Sequence, residues 1–176
     1  MKRLLTLVCV GLFFFSATES KAASVDIVAQ GDAWDYSVLS TDLWPGWSGV
    51  NYSTVNWNAL TWSSGNAAFG NSSTYNTYWS AGSDLALTKT YTLNGTVNGG
   101  LTLNVASDNG FDIFINGTQI AKDNAEGFTN YWEYTYNISP SFLVQGVNTI
   151  SVLAEDHGGL TFFDMKLTGD VTPNAV

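Results

Sequence analysis

Residues 101–121 read LTLNVASDNGFDIFINGTQIA, and this stretch decides the fold. Leu101, Leu103 and Val105 alternate with Thr102 and Asn104. Phe111, Ile113 and Ile115 alternate with Asp112 and Phe114. A period of two puts every second side chain on one face, which is the pattern of a strand with one buried side. Asn116-Gly117 separates the second run from residues 118–121. Asn-Gly between alternating runs predicts a hairpin, because a type I′ turn needs two residues at positive φ. Asp108-Asn109-Gly110 marks the preceding turn in the same way.

The pattern continues outward. Trp132, Tyr134, Tyr136 and Ile138 alternate with Glu133, Thr135 and Asn137. Ile150, Val152 and Ala154 follow, then a turn at Asp156-His157-Gly158-Gly159, then Phe163, Met165 and Leu167. Strands are expected near 25–29, 34–39, 88–93, 100–107, 111–115, 118–122, 131–138, 147–155 and 160–168. No capped 3.6-residue periodicity predicts a long helix. The fold class is therefore all-β, an antiparallel β-sandwich of about eight strands. Residues 40–82 read as aromatic-rich loops with one or two strands, and residues 169–176 as a frayed end.

The chain has 176 residues, 45% of them hydrophobic and 12% charged, enough to bury a core without metal or disulfide staples. Lys2 and Arg3 precede an apolar run from Leu4 to Phe15, and Ser20-Lys21-Ala22 suits cleavage. Residues 1–22 thus read as a secretory signal peptide and 23–176 as one domain. The run is too short for a membrane-spanning helix. Cys9 lies in this leader, so the mature chain is expected to hold no thiol, disulfide or cysteine-ligated metal. The formal net charge of −9 becomes −11 on cleavage, because Lys89, Lys122 and Lys166 then face 14 acidic groups. Such a surface excludes nucleic acid, whose phosphates need a basic face. The protein is expected outside the cell, or in a periplasm if the host has an outer membrane.

Catalytic chemistry finds little support in the residues. The single histidine, His157, sits in a turn, and no Gly-x-Ser-x-Gly elbow exists. No motif singles out a carboxylate pair for glycoside hydrolysis. The chain reads as a binding protein rather than an enzyme. Calcium needs only oxygen ligands. Asp108, Asp112, Asp123 and Glu126 are the candidate donors, although no EF-hand loop is present. Trp44, Trp47, Trp62, Tyr78 and Trp79 lie among asparagines in the 40–82 segment, and Trp44-Pro45-Gly46-Trp47 is expected to form a tight turn. Apolar C–H faces of sugars stack on such rings while amides meet the hydroxyls. These five residues are the candidate ligand contacts.

The order of features resembles the galactose-binding-like jelly rolls found as accessory domains of bacterial glycoside hydrolases and in exported surface proteins. The resemblance rests on Trp34, Trp57, Trp62 and Ala68-Phe69-Gly70, then on Ser107-Asp108-Asn109-Gly110-Phe111, Ile115-Asn116-Gly117 and Gly146-Val147-Asn148. It spans roughly residues 30–168. It implies a sandwich with Trp34, Trp57 and Phe69 in the core, turn-forming roles for the Asp, Asn and Gly positions, and a structural calcium in many members. No catalytic domain is expected beside the sandwich, which argues for a role of its own. The expected function is a secreted, non-catalytic, lectin-like module for neutral glycans. The alternative is a surface or matrix protein that self-associates through edge strands, with residues 23–31 as a donated strand.

Overall fold

The computed structural model describes residues 21–39, 51–72, 74–124 and 130–174. The expected leader, apart from Lys21 and Ala22, lies outside them. Among the described residues there are twelve strands: β1 (Ala23–Val28), β2 (Ala33–Leu39), β3 (Ser63–Asn66), β4 (Phe69–Gly70), β5 (Thr77–Tyr78), β6 (Asp84–Leu93), β7 (Gly95–Asp108), β8 (Phe111–Ile115), β9 (Thr118–Asp123), β10 (Tyr134–Ile138), β11 (Gly146–Ala154) and β12 (Phe162–Pro173). They form two six-stranded sheets. The first has the order β10-β7-β12-β4-β5 with β1 also paired to β12, and the second β3-β2-β6-β11-β8-β9. All pairings are antiparallel except β4 with β5. The expected antiparallel sandwich is what the structure shows.

The alternation in the sequence becomes the two faces of each sheet. Leu101, Leu103 and Val105 of β7 and Phe163, Met165 and Leu167 of β12 meet Phe111, Ile113 and Ile115 of β8 and Ile150, Val152 and Ala154 of β11 in one core. Each large apolar side chain removed from water there contributes about 1.5–3 kcal/mol. Trp34 and Phe69 join this core, as expected. The hairpin turn is also as expected, with Asn116 at φ 51° and Gly117 at φ 76°. The Asn116 amide then bonds the Phe142 carbonyl and the Asn148 side chain.

Two expectations are corrected. Residues 169–173 are not frayed: β12 runs through Pro173, paired with β7 on one side and β1 on the other. The second concerns Trp57, which lies in an ordered 51–62 connection that carries two short 3-10 turns. Leu39, Tyr52, Val55, Trp57, Leu60 and Trp62 pack on Ala86, Phe114 and Leu153, which face outward from the second sheet. Trp57 therefore belongs to a second apolar layer rather than to the main core. Segment 23–31, the candidate donated strand, supplies β1 to its own sheet, with Ile27 and Val28 buried.

Gly70 shows how tightly the first sheet is drawn to the β11–β12 connection. A methyl group at this position would lie 2.6 Å from the Thr161 carbonyl oxygen. The neighbour is backbone and cannot rotate away. Gly70→Ala is expected to lower stability by about 1–3 kcal/mol, measured by chemical denaturation; an unchanged midpoint would show that β4 is loosely held.

Candidate functional site

Three chain segments pass from one sheet to the other at the same end of the sandwich. Residues 79–83 lead from β5 to β6, residues 109–110 from β7 to β8, and residues 155–161 from β11 to β12. Backbone groups lock the last two together. The Asn109 N–H donates to the Glu155 carbonyl at 2.9 Å, and the Glu155 N–H to the Gly110 carbonyl at 2.9 Å. The His157 N–H donates to Asn109 Oδ1 at 2.9 Å. Asp156 Oδ2 accepts from the Gly158 N–H at 2.9 Å and also from the Gly82 N–H, which ties in the first crossing. The Thr161 hydroxyl donates to the Trp79 carbonyl at 2.7 Å.

Asn71 completes the rim. Its Nδ2 donates to the Gly159 carbonyl at 2.9 Å, and its Oδ1 accepts from the Thr161 N–H at 3.0 Å. Around this frame stand exposed apolar side chains: Tyr78 at 59%, Leu160 at 49%, Tyr131 at 46% and Tyr75 at 37% relative exposure. The Tyr75 and Tyr78 rings meet edge to face at 5.9 Å, and Tyr131 stands edge-on to Phe162 at 5.3 Å. The acidic groups behind them are not at the surface. Glu155 is fully buried and holds His157 Nε2 at 2.6 Å. The rim therefore presents aromatic faces and backbone polar groups, with its carboxylates used to fix loops.

The sequence-derived candidates divide accordingly. Tyr78 is on the rim. Trp79 is not a surface ring: it is fully buried, and its indole N–H donates to the Ser83 carbonyl at 2.9 Å. Its neighbour Tyr78 takes the outward side because successive strand residues alternate. Trp62 lies elsewhere, half-buried on the second sheet and stacked on Trp57 with ring centroids 6.3 Å apart. Trp44, Trp47 and Glu126 lie outside the described residues. Asn71 is one of the asparagines that accompany the 40–82 aromatics in the sequence, and Glu155-Asp156 is a further acidic pair that offers oxygen ligands there; the structure uses all three to fix the rim.

Of the four candidate calcium donors, Asp108, Asp112 and Asp123 lie among the described residues. Asp112 pairs across from Lys122, and Asp123 pairs across from the core-facing Phe111. Asp112 and Asp123 thus sit on opposite faces of the second sheet. Asp108 is at the end of β7. Among the described residues, no group of three or more His, Cys, Asp or Glu side chains is placed to hold a metal ion.

Burial governs the titration of two carboxyls. Asp112 is fully buried, and among the described residues neither of its oxygens has a hydrogen-bond partner. Desolvation pushes its pKa up to about 7, and the Lys122 ammonium only partly opposes this. Burial likewise raises Asp164 to about 6, against the pull of the Gly31 and Met165 N–H groups and the Tyr131 hydroxyl.

No protein-family model matches the sequence, and no curated protein does. Solved structures are similar in fold. A β-glucuronidase from Ruminococcus gnavus in complex with D-glucaro 1,5-lactone matches with a TM-score of 0.52 and 11% identity, over 88% of this chain and 30% of that one. The same enzyme with D-glucuronic acid gives 0.51 and 10%, over 89% and 31%. The chain thus spans less than a third of those enzymes. A PA14 sugar-binding domain from an RTX adhesin matches with a TM-score of 0.45 and 16% identity, over 81% of this chain and 91% of that one.

Asp112 makes a pH-dependent prediction. Its folded pKa of about 7 lies above the ordinary value of 3.8. Ionisation therefore favours the unfolded chain, and this destabilisation grows as pH rises from about 4 to about 7. Asp112→Asn is expected to remove that component, so that its melting temperature relative to wild type climbs between about pH 4 and 7 and levels off above. A constant difference across that range would mean that Asp112 ionises freely in the folded protein.

Proposed function

We propose that the chain is a non-catalytic, carbohydrate-binding domain of an exported protein, and that the rim is its ligand site. The observation that carries this reading is the convergence of three locked crossings with four exposed apolar side chains. Tyr75, Tyr78, Tyr131 and Leu160 offer apolar surface for sugar C–H faces. Asn71 and the turns at 108–110 and 155–161 hold backbone polar groups beside them for hydroxyls. A frame fixed before binding lowers the ordering cost of capture. A neutral glycan suits the formal net charge of −9, which repels acidic polymers. The reading makes no use of calcium, since Asp112 and Asp123 face opposite sides of the second sheet.

A binding role is also supported by how the rim carboxylates are engaged. Glu155 and Asp156 are buried and tied to His157, Gly82 and Gly158. General acid–base work on a glycoside would need carboxyl groups facing the substrate. Among the described residues, no helix is long and apolar enough to cross a membrane.

The test is a panel of neutral and acidic glycans offered to the mature protein. Wild type is expected to retain one or more neutral glycans, and Tyr78→Ala to weaken them about tenfold, equivalent to about 1.4 kcal/mol. The exposed position of Tyr78 predicts an unchanged unfolding midpoint for this variant. A folded wild-type protein that retains no glycan, or a Tyr78→Ala variant of undiminished affinity, contradicts the proposal.

A further inference from the structure

A second polar groove lies away from the rim, where β6 outruns β2. The β2–β6 ladder ends at Asp35 opposite Thr88. Beyond it β6 continues to Leu93 with, among the described residues, only β11 paired beside it. The gap is a groove of about 270 Å³ lined by Ala33, Trp34, Asp35, Ser64, Thr88, Lys89 and Thr90. Asp84, at the rim end of β6, is four residues from Thr88, or about 13 Å of strand at ~3.3 Å per residue. The groove and the rim are therefore separate places on one domain.

Its chemistry is that of a hydroxyl-rich ligand. Ser64, Thr88 and Thr90 bring three hydroxyls, each able to donate and accept. Asp35 is exposed and takes the Ser64 hydroxyl on Oδ1 at 2.8 Å, leaving its other oxygen to accept from a ligand. The Lys89 ammonium is already engaged: it pairs with Asp32 and lies 5.3 Å above the centre of the Trp34 ring. Burial works against the charge of Asp32, yet Lys89 and the Ala29 and Ala33 N–H groups keep its carboxyl below the ordinary range. With Lys89 neutralised, Asp35 leaves the groove negative, which disfavours anionic ligands. The volume falls just below the roughly 300–1,000 Å³ of pockets for drug-sized molecules, so one ring fits better than an oligomer.

We infer that this groove is a second carbohydrate subsite that takes a single neutral pyranose, with Asp35 accepting hydroxyls of the ring and Ser64, Thr88 and Thr90 bonding its remaining oxygens. It does not depend on the rim being a glycan site. The consequence is a domain with two contact points for polymeric or multiply displayed sugar. Two weak sites engaged together raise the apparent affinity without any new contact.

The test is a titration of the isotope-labelled mature protein with D-glucose, D-galactose, D-mannose, N-acetyl-D-glucosamine and D-glucuronate, followed by amide NMR. At least one neutral sugar is expected to shift the amides of Asp35, Ser64, Thr88 and Thr90 with a Kd on the order of 1–10 mM, while glucuronate leaves them still. A combined Asp35→Asn and Thr88→Val variant is expected to weaken these shifts at least about tenfold and to keep its folded spectrum. Tyr78→Ala should leave them intact, so failure at the rim and failure in the groove are read from different amides. Still amides with every neutral sugar, larger shifts with glucuronate, or shifts that persist in the combined variant would overturn the assignment.

Discussion

The paired hydrogen bonds between Asn109, Gly110 and Glu155 are the constraint on which the upper end of this protein depends. Each links a crossing that leaves the first sheet to a crossing that returns to it. A sandwich holds its two sheets apart by the thickness of the core, and the chain must bridge that gap wherever it changes sheet. Bridging segments carry backbone groups that have no ladder partner, and buried ones must be satisfied. Here they satisfy one another. Asp156 and Asn71 extend the arrangement to the Gly82 and Thr161 amides. The exposed tyrosines are thereby mounted on a rigid frame.

The same need for satisfaction explains the second sheet. Its outer face holds Ala86, Phe114 and Leu153 beside Asp112, which is too apolar for open solvent. The 51–62 segment covers it with Tyr52, Trp57 and Trp62, whose rings stack in sequence at 5.0 and 6.3 Å. Aromatic residues in this chain thus do two jobs. Most of those described close an apolar face, and a few at the rim stand clear of it. The burial of Asp112 under apolar neighbours is what raises its pKa, because a carboxylate loses its hydration there.

Much of the fold was legible because alternation is a direct record of a strand with one buried face. All nine expected strands exist, and Asn116-Gly117 forms the expected turn. The additional strands β3, β4 and β5 are two to four residues long, too short to show a period. The end of β12 was hidden for a different reason. Its residues Gly169, Asp170 and Thr172 look like a tail, and only pairing with β1 and β7, both far away in sequence, makes them a strand. At the site, composition marked the Asp108–Gly110 and Asp156–Gly159 turns but not their union, which depends on topology. Tyr78 and Trp79 are adjacent and alike in sequence, and only the alternation of faces separates a surface ring from a core ring. Asp112 and Asp123 were parted by the same rule.

Native-state amide hydrogen exchange on the free protein tests the central claim most directly. If the crossings are locked before any ligand arrives, the Asn109, Glu155 and Thr161 amides will exchange nearly as slowly as the ladder amides of β11. Exchange at these three positions as fast as in an open loop, with β7 and β11 still protected, would contradict a preformed rim.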